Sequence, residues 1–83
     1  MNYYTYILYS AKLNRYYIGS TENVSTRLKE HLWKHKGFTA KAKDWELKYS
    51  EIFETKMEAR KRETQMKKWK SRIMLEKLIH SQL

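Results

Sequence analysis

Hydrophobic and polar positions alternate weakly from Tyr3 to Ser10, in a run rich in aromatic and β-branched side chains, and this predicts a strand. "AKLNR" follows, with Asn14 as the expected turn residue. Tyr16–Ser20 then reads as a second short strand, so residues 3–20 are predicted to form a β-hairpin. Gly19, near its end, points to a bulge or a close backbone approach. The period changes at Asn23, a good N-cap residue. Val24, Leu28 and Leu32 recur every fourth position, which predicts a helix to about His35. A basic stretch around Gly37, "KHKGFTAKAKD", reads as a loop. In "WELKYSEIF" the positions Trp45, Leu47 and Tyr49 have a period of two, with Ile52 and Phe53 apolar after a shift, so this is a third strand. Thr55 is placed to cap a second helix carrying Ala59, Met66 and Trp69 on one face, and Ser71 to start a third with Met74, Leu75, Leu78 and Ile79 as its stripe. The expected fold class is α/β of the α+β type: a small three-stranded antiparallel sheet flanked by helices, in the order β-β-α-β-α-α.

At 83 residues, with no proline, internal repeat or low-complexity tract, the whole of 1–83 is expected to be one domain with a modest core. The absence of cysteine excludes disulfides, thiol nucleophiles and cysteine-based zinc sites. No stretch has the length of apolar residues that a membrane span needs, and no signal peptide is evident, so a cytoplasmic protein is the default expectation. Charge changes the picture more. Lys and Arg number 18 against 9 Asp and Glu, a net +9, and residues 56–72 alone hold eight basic and two acidic residues. Such density attracts polyanions, and interleaved aromatic residues favour nucleic acid over an acidic protein or a membrane surface. Lys41 and Lys43 in the basic loop, with Arg60 and Lys67 in the basic helix, are the candidate nucleic-acid contacts.

Three polar residues sit where an apolar face is expected. Each helical residue advances by about 100°, so with Val24 at zero Leu28 lies at about 40° and Leu32 at about 80°, while Arg27 falls at about −60° and His31 at about −20°. Arg27 and His31 are therefore one turn apart at the border of the apolar stripe, where they can serve one site. An arginine there also snorkels readily along a core. Glu63 lies beside the apolar face of the second helix and needs a partner. Lys67, four residues on, is one candidate, and a divalent cation is another, because one carboxylate plus waters and phosphate is a normal magnesium arrangement. Most of the seven tyrosines are expected in sheet packing, with Tyr4 and Tyr6 on one face, Tyr3 and Thr5 on the other, and Tyr17 sharing a face with Gly19. No Gly-rich phosphate loop, HExxH or EF-hand pattern is present, and His31, His35 and His80 do not make a convincing metal site.

These residues resemble the motifs of the GIY-YIG nuclease superfamily, in particular its small stand-alone YhbQ-like members. "YTY" at 4–6 stands where the first motif ends in tyrosine, and "YIG" at 17–19 is the second motif unchanged. Arg27 follows Tyr17 by ten residues, "EH" at 30–31 comes next, and A-x-x-x-E-x-x-x-K at Ala59, Glu63 and Lys67 falls on the helix that carries the family's glutamate. The resemblance covers nearly the whole chain. It implies metal-dependent hydrolysis of a phosphodiester bond, with Glu63 holding one Mg²⁺ or Mn²⁺, Arg27 binding phosphate oxygens, Tyr6 or Tyr17 activating the attacking water, and His31 orienting it or relaying a proton. The expected partner is DNA, with RNA also open, in a setting of DNA repair or recombination. Larger relatives select targets with an added DNA-binding domain, so low sequence specificity or structure selectivity is implied here. Two departures stand out: Tyr4-Thr5 replaces the Gly-Ile of many members, and no asparagine follows Asn23, although many larger members carry one after the glutamate. The second departure leaves a rival expectation, a nucleic-acid-binding module that keeps the fold without efficient catalysis.

Overall fold

The structure, a computed structural model, describes residues 2–33 and 41–81; the side chains of His31 and Trp33 lie outside the described set. Its elements are β1 (Tyr3–Ser10), β2 (Arg15–Thr21), α1 (Val24–Trp33), β3 (Glu46–Phe53), α2 (Lys56–Trp69) and α3 (Arg72–His80). The expected order is therefore found, and the sheet is antiparallel with β1 central, in the order β2-β1-β3. The predicted end of the first helix at about His35, and most of the basic loop, fall outside the described residues.

Local chemistry explains the boundaries. Asn14 adopts the left-handed conformation, which asparagine tolerates, and its Oδ1 accepts from the Tyr9 hydroxyl at 2.7 Å, closing the hairpin. The Asn23 side chain accepts from the Thr26 amide at 3.0 Å at the start of α1. Thr55 caps α2 by accepting from the Glu58 amide, and its hydroxyl donates back to the Glu58 carboxylate at 2.9 Å. Ser71 caps α3 through the Met74 amide. Each such cap is worth about 1 kcal/mol.

The two sheet faces carry separate cores. Ile7, Ile18, Tyr49, Met66 and Leu75 pack on one face, under α2 and α3. Tyr6, Leu8, Ala42 and Trp45 pack on the other with Leu28 and Leu32 of α1. The third strand departs from its expected pattern. Its period-two series Trp45, Leu47, Tyr49 is split by a register shift between Ile7 and Leu8: Leu8 pairs with Leu47 but Ile7 with Tyr49, leaving Lys48 as an extra residue. Trp45 and Tyr49 consequently pack on opposite faces, and the irregularity lies earlier than the shift expected before Ile52. Met74 also departs: it is exposed, whereas Leu75, Leu78 and Ile79 face the core.

Thr5 joins β1 to α2. It is fully buried, and its hydroxyl donates to the Ala59 carbonyl at 2.7 Å. Thr5→Val keeps the shape and removes the donor, so it should lower unfolding free energy by about 1–2 kcal/mol, read from urea denaturation.

Candidate active site

Two adjacent residues of the edge strand β2 organise a cavity. Gly19 pairs across the sheet with Tyr6, and the Tyr6 ring lies over it. A Cβ at position 19 would sit 2.5 Å from the Tyr6 hydroxyl oxygen and 2.7 Å from Cζ, so only glycine admits the ring. The close approach expected at Gly19 is thus made by a side chain, and it carries the hydroxyl of an otherwise buried tyrosine to the sheet edge. There Arg27 of α1 hydrogen-bonds the Tyr6 hydroxyl, while its Nη1 donates to Glu30 Oε2 at 2.7 Å. Ser20 points to the opposite face. Its hydroxyl donates to Glu63 Oε1 at 2.7 Å, and Lys67 Nζ binds Glu63 Oε2 at 2.6 Å.

The result is an open cavity of about 370 Å³ lined by Tyr6, Tyr17, Gly19, Ser20, Arg27, Arg60, Glu63 and Thr64. Arg27 and Glu63 reach it from opposite faces of the sheet, around the β2 edge. The two helix borders do not meet over one sheet face, because α1 and α2 cover different faces. Of the residues singled out in the sequence, the cavity gathers Tyr6, Tyr17, Arg27, Arg60 and Glu63, with Lys67 joined through its ion pair. Lys41 and Lys43 are exposed and do not line it. His31 lies on α1 one turn after Arg27, with its side chain outside the described set.

The GIY-YIG catalytic domain model matches residues 2–77. The chain belongs to the GIY-YIG family. A solution NMR structure of the UPF0213 protein BH0048 from Bacillus halodurans is similar to it at 30% identity and a TM-score of 0.58, over 96% of this chain and 84% of that one. Comparison with curated proteins returns no match.

GIY-YIG proteins are endonucleases and are generally dependent on a divalent metal. Among the described residues no three His, Cys, Asp or Glu side chains group around one point. A site built on such a cluster is not what this cavity provides. Its donors are hard oxygens: one half-buried carboxylate with hydroxyls nearby, which fits a small ion that keeps most of its waters. The partner roles of two residues, Ser20 and the Glu30 of the "EH" pair, escaped sequence reasoning. Ser20 carried a signal in its position beside Gly19, since neighbours in a strand face opposite ways. Glu30 carried one in its i,i+3 spacing from Arg27.

Burial pushes the Tyr6 phenol up to about 12, against the Arg27 hydrogen bond that lowers it, with Tyr17 and Glu63 nearby adding to the rise. Arg27 is in turn raised, chiefly by the bond to Tyr6. Tyr6 therefore keeps its proton. An unfolded phenol ionises near ~10. Below that pH the contribution of Tyr6 to stability is complete, and it is lost as pH rises towards about 12, because the unfolded chain then binds fewer protons. Tyr49 is raised to about 12 as well, by burial and the Glu51 carboxylate, so both tyrosines act in this window. Denaturation midpoints should fall from pH 10 to 12, and less steeply in Tyr6→Phe. Gly19→Ala should cost about 1–3 kcal/mol through overpacking against the Tyr6 ring, measured by thermal unfolding.

Proposed function

We propose that this chain is a metal-dependent endonuclease that hydrolyses DNA phosphodiester bonds, with low sequence specificity or selectivity for DNA structure. The observation that carries the reading is the meeting of Arg27 and Glu63, from opposite sheet faces, beside Tyr6 and Tyr17 in one open cavity. Glu63 is the residue that would hold Mg²⁺ or Mn²⁺, and its bond to Lys67 is the one it would give up. The bound ion would supply Lewis-acid stabilisation of negative charge on the leaving oxygen. Arg27, fixed between Tyr6 and Glu30, presents its planar fork to the non-bridging phosphate oxygens. Tyr6 acts as a neutral donor, and this leaves Tyr17, half-buried and lining the same cavity, to orient the attacking water, whose proton passes to His31. In the reaction the water oxygen bonds to phosphorus, one ester P–O bond breaks, and the departing alkoxide gains a proton. His31 is the proposed relay for that proton, within the range in which imidazole exchanges protons. Arg60 and Lys67 are the phosphate contacts at the cavity itself. Lys41 and Lys43 serve as outlying ones.

The rival reading, a nucleic-acid-binding module without efficient catalysis, draws on the two bonds that occupy both Glu63 oxygens and on the absence of a later asparagine. Nicking of supercoiled plasmid separates the two. The expected result is nicking that needs Mg²⁺ or Mn²⁺, stops with chelator, and falls by about 10²-fold or more in Glu63→Gln and in Arg27→Ala with far-UV circular dichroism unchanged. Full activity in Glu63→Gln overturns the proposed site, and tight DNA binding with no cleavage across metals and branched substrates selects the rival.

A further inference from the structure

Two more cavities flank the catalytic one along β2. The first is lined by Ser20 and Thr21 and shares Ser20, Arg27 and Arg60 with the catalytic cavity. The second, of about 400 Å³, takes Arg15, Tyr16, Tyr17 and Ile18 from the strand and shares Tyr17. Read by residue number, the three lie in sequence beside one edge strand, with the Gly19 opening between the flanks.

The flanks differ in charge. The Thr21 side holds Arg27, Lys56 and Arg60 against Glu22 and Glu30, and Arg27 and Glu30 are paired with each other. The Arg15 side holds Arg15, Lys67, Lys70 and Arg72, and no carboxylate lines it. Lys67 is paired with Glu63, and Arg72 with Glu76 and Asn14. Arg15 and Lys70 are exposed, and neither makes an ion pair among the described residues.

The backbone at Lys70 is a second, independent sign. It ends α2 in the left-handed conformation, φ 48° and ψ 28°, a position where glycine is strongly favoured. A lysine held in that conformation, at the rim of a basic cavity, breaks a local rule in the place where functional sites usually do so.

We propose that one DNA strand runs along the β2 edge and is gripped unequally: the phosphates on the Arg15–Lys70 side of the scissile bond are held, and those on the Thr21 side are not. This rests on the nuclease reading above and adds the direction of grip to it. The four steps from Arg15 to Gly19 span ~13 Å, and stacked DNA advances about 3.4 Å per phosphate along one strand, so this flank has room for two or more phosphates.

Binding and cleavage of a single-stranded DNA oligonucleotide test the proposal. Binding is read by fluorescence anisotropy with chelator present, and cleavage with Mn²⁺. Neutral methylphosphonate linkages are placed on one side of the mapped cleavage position or on the other. The wild-type protein should lose about ten-fold in affinity with neutral linkages on one side and less than about two-fold on the other. In Arg15→Gln/Lys70→Asn, where asparagine tolerates the left-handed backbone, that difference should vanish, and the slope of log K against log salt should drop by about 1.4. Lys56→Gln should leave the difference in place. Lys70→Gly should raise Tm by a few degrees while weakening binding. Equal losses on both sides in a protein that cleaves overturn the unequal grip alone. Unchanged affinity in the stabilised Lys70→Gly removes Lys70 from it. A wild-type protein that neither binds nor cuts DNA overturns both this inference and the nuclease reading.

Discussion

The contact of the Tyr6 ring with Gly19 ties the core to the cavity. Tyr6 sits on the central strand and is 1% exposed, so most of its ring serves the packing against Leu8, Ala42 and Trp45. A buried phenol needs a partner for its hydroxyl. The missing Cβ at Gly19 lets the ring cross to the sheet edge, where Arg27 supplies that partner. The benefit runs both ways. A free arginine has many rotamers to lose on meeting an anion, whereas Arg27, bonded to both Tyr6 and Glu30, has fewer.

The edge strand solves a second problem with the same two residues. A three-stranded sheet of this size has one helix on one face and two on the other, and side chains from opposite faces do not normally meet. They do so around an edge. Gly19 receives Tyr6 from the α1 face, and Ser20, its neighbour in a strand that alternates faces, binds Glu63 from the α2 face. Thr5 fixes the height of α2 by bonding the Ala59 carbonyl, four residues before Glu63 on the same helix. The position of the carboxylate thus depends on a buried hydrogen bond at one turn and an edge-strand hydroxyl at the next.

Much of this is legible in the sequence, and its limits have physical causes. Caps and periods are local, so Asn14, Thr55 and Ser71 mark their turns and helix starts correctly, and the element order follows. Arg27 and Glu63 stand out because charged residues beside an apolar stripe need a reason. The bulge at Lys48 is less visible: an extra residue is set by pairing with the neighbouring strand, and a period-two series such as Trp45, Leu47 and Tyr49 looks unbroken. Met74 was expected inward from its place in a helical stripe, yet a nine-residue helix lying on a sheet buries only a narrow face, and Leu75, Leu78 and Ile79 fill it. Which faces α1 and α2 take is also a tertiary matter, so Arg27 and Glu63 were recognisable as partners before the route by which they meet was.

The ion pair at Glu63 is a weak one. Lys67 is 53% exposed and Glu63 21% exposed, so the pair is well hydrated on the lysine side and is worth only a few tenths of a kcal/mol, in the range of i,i+4 pairs on helices. A buried pair would be costly to break, because separation leaves an unpaired charge out of water. Here the lysine can leave for solvent or for a phosphate at little cost, and the carboxylate stays where Ser20 holds it. A pair this weak would compete little with a doubly charged ion for the Glu63 carboxylate. Glu63 is kept in place by one bond and kept available by the weakness of the other.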